Sequence, residues 1–255
     1  MKRRQLIGYA GAGLVTAVVT NLSSHVPVNA QSSGVSIQWL GHTCFLLTAG
    51  NIKTLINPFR TLGCTAKYRP PKVAADLVLI SSQLLDEGAV DQLPGNPKLV
   101  YQAGVYDFRG LKFQGITTDH DRNGGRRFGK NVVWKLTKGG INMLHLGGSA
   151  SPITLEQKIL MGRPDVLFIP VGGSAKAYNA QEAKQAIEVL NPKLVIPTHY
   201  RTQAADANQC DITPVDDFLA LMQGVNIRRS NNDSLVISAK SLPENTEIQV
   251  LSYKF

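Results

Sequence analysis

The chain predicts a mixed α/β fold carried mainly by strands, and three observations lead there. A short, wholly apolar run at 77–81 has the pattern of a strand inside a sheet. A helical pattern at 180–190, with Ala183, Ile187 and Leu190 on one face, lies between apolar runs at 166–170 and 194–197 that read as parallel strands. Several further short strands are separated by glycine, asparagine and proline turns. Two similar αβ halves within one domain account for this order.

In chain order, Val35-Ser36-Ile37-Gln38-Trp39-Leu40 alternates as a half-buried strand does, and Cys44-Phe45-Leu46-Leu47 follows it. Ala49-Gly50-Asn51 is a turn, and Lys53-Thr54-Leu55-Ile56 is the returning strand. Residues 60–73, with Pro70-Pro71, form a loop. Strands are expected at 98–101, 111–114, 132–136 and 141–146, the last two joined by a hairpin at Gly139-Gly140. Helices are expected at 155–161 and at 214–222, the second capped by Thr213 with Asp216-Asp217 in its first turn. Strands near 235–237 and 248–251 close the chain.

The chain has 255 residues, 43% of them hydrophobic, enough to bury a sizeable core. Residues 1–30 read as an export signal: basic Lys2-Arg3-Arg4, an apolar stretch at 6–19, and Val28-Asn29-Ala30 before the expected cleavage. The Arg3-Arg4 pair also fits a twin-arginine signal. Residues 31–255 are then one domain in the periplasm, or in the thylakoid lumen of a photosynthetic source. The apolar stretch is too short and glycine-rich for a membrane span, so no transmembrane segment is expected in the mature chain. Without residues 1–30 there are 24 Lys and Arg against 18 Asp and Glu, a net charge of +6. That is compatible with a protein partner or a small acidic ligand, and is not a nucleic-acid signature.

Of three cysteines, Cys44 sits in an apolar strand and is expected to be a buried thiol. Cys64 and Cys210 lie in polar loops, and an oxidising compartment invites a disulfide between them.

Five motifs in order resemble one family. Trp39-Leu40-Gly41-His42-Thr43-Cys44-Phe45 is similar to the opening strand of metallo-β-lactamase-fold hydrolases, in the branch related to sugar-acid lactonases. Leu55-Ile56-Asn57-Pro58-Phe59, the strand 139–148, the segment 165–173 and the segment 193–200 resemble its later motifs. The resemblance covers nearly all of 35–252. It implies a four-layer αββα sandwich with a metal cleft at one edge of two sheets, in which two zinc ions activate water.

The resemblance also implies ligand positions, and most are altered here. Where the family carries Ser-His-x-His-x-Asp-His, this chain reads Ser81-Ser82-Gln83-Leu84-Leu85-Asp86-Glu87. Ser82 and Leu84 replace the first metal's loop histidines, and His120 matches its third ligand. For the second metal Asp86 and His199 match, and Glu87 replaces a histidine. Gly148 stands where a bridging aspartate is expected, and Asn57 replaces another cleft aspartate. Leu84 sets an apolar group where an ion would sit, which opposes binding. The resemblance therefore implies a non-catalytic binding or assembly module without a cofactor. The alternative is an ester or lactone hydrolase holding one zinc at Asp86, Glu87 and His199.

Each candidate also has a plainer reading. His199, His120 and His42 are read first as hydrogen-bonding histidines, and Asp86-Glu87 as caps of a following helix. Arg122, Arg126 and Arg127 border the expected cleft and suit a carboxylate or phosphate, or else form a solvated loop. Ser82 as a metal-free nucleophile is a third reading, without a nucleophile-elbow motif to support it.

Overall fold

The computed structural model describes residues 34–206 and 208–254. The expected export signal at 1–30 lies outside the described residues. The strands are β1 Val35–Gly41, β2 Cys44–Ala49, β3 Ile52–Ile56, β4 Leu77–Leu79, β5 Lys98–Val100, β6 Gly104–Phe108, β7 Leu111–Asp119 and β8 Lys130–Lys138. They continue as β9 Ile141–His145, β10 Val166–Pro170, β11 Leu194–Thr198, β12 Asn226–Arg229, β13 Ser234–Ile237 and β14 Glu247–Val250. The α-helices are α1 Leu155–Met161, α2 Ala180–Leu190 and α3 Val215–Leu221.

Two sheets result. One has the order β13-β1-β2-β3-β4-β5, the other β12-β14-β11-β10-β9-β8-β7-β6. β1 alternates between buried and half-buried residues, so one face packs inward. Every residue of β4, β10 and β11 is buried, as expected of strands covered on both faces. β10 and β11 pair in parallel with α2 between them. The Phe45 ring of the first sheet lies 4.7 Å from the Phe168 ring of the second, so one core fills the space between the sheets.

α2 begins in a reciprocal cap: Asn179 Oδ1 accepts from Glu182 N at 2.9 Å, and Asn179 N donates to Glu182 Oε2 at 2.9 Å. It ends at Asn191 in the left-handed region, and it buries Ala183, Ala186, Ile187 and Leu190.

Some expectations shift. The fold is the expected two-sheet α/β arrangement, but its halves differ: among the described residues, all α-helices lie between 155 and 221. No helix follows Asp86-Glu87, because Gly88, Pro94, Gly95 and Pro97 break the segment into turns, so those carboxylates cap nothing. Pro214, not Thr213, is the N-cap of α3, and its ring offers no capping atom. β6 and β12 were not expected; β6 carries a charged residue and an exposed valine, which hide its alternation.

Candidate metal-type cleft

The loops that leave β3, β4, β7, β9, β10 and β11 carry Asn57, residues 81–88, His120, Gly147-Gly148, residues 171–179 and His199. The β1–β2 turn adds His42. His42, Asn57 and His199 have φ of 53°, 52° and 50°, and Ser174 has φ 89°. L-residues rarely adopt this region, and four such positions in loops bordering one cleft mark a constrained site. Backbones approach closely here too. A Cβ on Gly172 would lie 2.2 Å from the His199 carbonyl oxygen, so only glycine fits beside that turn.

Two groups of polar side chains fill the cleft. The first is His42, Asp86, His199 and Lys176. Among the described residues, His42, Asp86 and His199 are the group of ligand-type side chains whose donor atoms all lie within 4.8 Å of one another. The His42 and His199 rings are 4.3 Å apart, and His42 Nε2 is 3.8 Å from Asp86 Oδ2. His42 and His199 are 5% and 4% exposed, and neither His42 Nε2 nor His199 Nδ1 makes a hydrogen bond. The same Asp86 oxygen accepts a close hydrogen bond from Lys176 Nζ. Burial raises the Asp86 carboxyl, but His42 and Lys176 outweigh it and hold the group well below the usual carboxylate range. Burial, reinforced by His42, keeps His199 neutral.

The second group is Ser82, Glu87 and His120. Ser82 Oγ donates to Glu87 Oε2 at 3.0 Å, and His120 Nε2 lies 3.3 Å from the same oxygen without hydrogen-bond alignment. Glu87 is fully enclosed: burial and the neighbouring Asp86 charge push its carboxyl up to about 8. Burial, then Lys176, lowers His120 to about 4. Both shifts favour the uncharged forms of the two groups. Gly148 faces the same point: a Cβ there would lie 2.4 Å from His120 Nε2 and 2.8 Å from Glu87 Oε1.

The structure thus regroups the residues expected from the sequence. Asp86 and His199 come together, but Glu87 joins Ser82 and His120 instead, and His42 takes its place beside Asp86. Leu84 is half-buried, and its N–H donates to Ser82 Oγ at 3.4 Å. Ser82 has a carboxyl, not an imidazole, as hydrogen-bond partner, so the nucleophile–base contact is missing. Arg122 is a brace, not a free anion ligand. It holds Glu182 with two nitrogens, at 2.7 and 2.6 Å, and donates to the carbonyls of Ser174 and Ala177. Arg126 and Arg127 remain exposed, with the Arg127 guanidinium 4.8 Å above the Phe128 ring. The loop holding them closes on Asp121, whose carboxylate accepts the backbone N–H groups of Asn123, Gly125, Arg127 and Phe128. These bonds, Phe128's foremost, keep it ionised.

His145 supports the site from beneath. Its Nδ1 accepts from Gly147 N at 3.1 Å, so the proton is on Nε2, which donates to the Thr43 carbonyl at 2.9 Å. Burial lowers it to about 4. Asn57 Oδ1 accepts from Ser81 N at 2.8 Å, and Asn131 Nδ2 binds Thr118 and Leu146 while its Oδ1 accepts from Gly148 N. Asn131 and Lys176 were not singled out from the sequence, where nothing separates them from other strand and loop residues. Cys64 and Cys210 form a disulfide with Cα atoms 4.3 Å apart, tying the 60–73 loop to the 200–214 loop, and Cys44 is a buried thiol.

Two packed sheets in a mixed α/β domain, with histidines and carboxylates gathered on the loops beyond the strand ends, define a metallo-β-lactamase type of fold. The family described as "Beta-lactamase superfamily domain" matches residues 36–199, and the chain belongs to it. It is similar to a UPF0173 metal-dependent hydrolase of Carboxydothermus hydrogenoformans, 28% identical over 198 residues, covering 66% of this chain and 85% of that protein. A second, of Thermoplasma acidophilum, is 24% identical over 195 residues, covering 66% and 84%. Among solved structures, one from Thermotoga maritima, described as a Zn-dependent hydrolase of the metallo-beta-lactamase superfamily, is 30% identical with a TM-score of 0.68. The match spans 86% of this chain and 100% of that one.

Proposed function

We propose that this protein has left the two-metal chemistry of its fold and works as an exported binding or assembly module whose own side chains fill the cleft. One observation carries the reading. At Gly148, where the family resemblance calls for a bridging carboxylate, even a Cβ would meet His120 Nε2 at 2.4 Å and Glu87 Oε1 at 2.8 Å. A His–Glu contact takes up the space of that carboxylate and its ion. Zinc needs about four donors at roughly 2.0–2.3 Å. Ser82 and Glu87 are engaged with each other, and Leu84 offers no donor. These residues do not fit a two-metal centre. Export rests on the basic and apolar pattern of residues 1–30.

The test is metal content and hydrolysis together. Protein purified without chelator, exposed to zinc and desalted, is expected to hold well under one zinc per chain and to leave ester and lactone substrates uncleaved. Near-stoichiometric zinc with turnover overturns the reading.

A specific observation supports a second reading, a hydrolase with one ion. His42 Nε2 and His199 Nδ1 are buried, unpartnered and close to the Asp86 carboxylate, a donor set that suits a single divalent metal. Under it, zinc binds the native protein, and His199→Ala removes metal and cleavage together.

A further inference from the structure

We infer that Lys176 is the cleft's built-in cation: its ammonium occupies the position of a metal ion beside Asp86, and removing that charge converts His42, Asp86 and His199 into a one-ion site. The inference rests on the metal-free reading of the native chain and adds what replaced the metal.

Asp86 is a half-buried carboxylate, its side chain 28% exposed, and a nearby cation stabilises such a group. In this cleft the cation is Lys176, bonded to Asp86 Oδ2, the same oxygen that faces His42 Nε2 at 3.8 Å. The lysine is aimed, not draped. Its loop is fixed by the Arg122 bonds to the Ser174 and Ala177 carbonyls, by Gly173 N donating to Tyr178 O at 2.9 Å, and by the left-handed turn at Ser174. The ammonium also lies 5.9 Å from the Phe128 ring centroid, an aromatic face that favours a cation.

The two imidazoles show what the lysine leaves undone. The ammonium is engaged with the Asp86 carboxylate, and it makes no hydrogen bond to either imidazole. His42 Nε2 and His199 Nδ1 stay orphaned inside the cleft, a costly state for buried polar atoms. A divalent ion would engage all three groups at once, but at Asp86 it would lie within a few ångströms of the ammonium, and repulsion between the two charges opposes it. Imidazole and carboxylate ligands together suit zinc and cobalt.

Lys176→Met keeps the length of the side chain and removes its charge; Lys176→Arg keeps the charge. Zinc binding by calorimetry and cobalt binding by visible absorption are measured on the full chain. Lys176→Met is expected to bind one ion at least roughly 100-fold more tightly than the native protein, the scale of one close charge repulsion in a partly enclosed site. Lys176→Arg is expected to match the native protein, and Lys176→Met combined with His199→Ala to lose the gain. Should Lys176→Met not fold, Lys176→Gln takes its place. No gain in either neutral variant, or an equal gain in Lys176→Arg, overturns the inference and leaves the metal-free reading standing. Native protein that binds near-stoichiometric zinc overturns both, because an ion then sits where the inference places the ammonium.

Discussion

At the scale of single residues, Glu87 and the buried histidines set opposite slopes of stability against pH. Glu87 has an ordinary value of 4.5 and is raised to about 8 by burial and Asp86. Between those limits the folded chain keeps a proton that the unfolded chain has released, so stability falls as pH rises through the window. His120 and His145 are lowered from 6.5 to about 4, and His199 is lowered as well. Between about 4 and 6.5 the unfolded chain takes up protons that these imidazoles refuse, so stability rises with pH there. Each group contributes a slope of at most about 1.4 kcal/mol per pH unit. With three histidines against one carboxyl, stability is expected to rise to roughly pH 6.5 and then decline towards pH 8. Glu87→Gln, neutral throughout, is expected to keep the rise and abolish the decline. Urea unfolding of both proteins from pH 4 to 9 measures this. A native profile without the alkaline decline, or a variant that keeps it, refutes the assignment of a protonated Glu87.

At the scale of elements, the 171–179 loop and α2 behave as one piece because Arg122 joins them. Its fork holds Glu182, a member of the α2 cap, and its remaining bonds reach the carbonyls of Ser174 and Ala177. Arg122→Ala is expected to destabilise the fold by about 1–2 kcal/mol, a figure held down by the partial exposure of the pair. Arg122→Lys should restore little, because an ammonium cannot reproduce the planar fork. Denaturant midpoints of the two variants decide it; full rescue by lysine would reduce the contact to simple charge attraction. The strands bordering this piece were legible in the sequence because local patterning encodes them: β10 and β11 are unbroken apolar runs, and α2 announces itself through Ala183, Ile187 and Leu190 on one face. The brace was not legible, because Arg122 and Glu182 are 60 residues apart and Lys176 and Asp86 are 90 apart. Pairings between distant loops leave no periodic trace. For the same reason, Asp86 and Glu87, adjacent in the chain, looked like one ligand pair, whereas the turn at 82–88 sends one to His42 and the other to His120.

At the scale of the whole molecule, the two ends of the domain are connected in ways that sequence order hides. β13 pairs with β1, and Arg69 N donates to Tyr253 Oη at 2.7 Å. Tyr68 Oη lies 2.6 Å from Thr202 Oγ1, and the Cys64–Cys210 disulfide spans a sequence separation of 146. That bond ties an early loop to a late one, so it restricts the unfolded chain more than a local crosslink would. The chain-entropy model gives about 5 kcal/mol for such a loop as an upper figure, and about 2–4 kcal/mol is typical. Replacing both cysteines by serine is therefore expected to lower unfolding free energy by about 2–5 kcal/mol. The unfolded state also becomes more expanded without the crosslink, so the slope of stability against urea should steepen. Reductant supplies the control: it should bring the native midpoint down to that of the double variant and leave the variant unmoved. If the native and double-serine proteins unfold at the same midpoint with the same slope under oxidising conditions, the crosslink contributes nothing. The Tyr68–Thr202 hydrogen bond and the Lys67–Asp206 ion pair would then hold the two loops together.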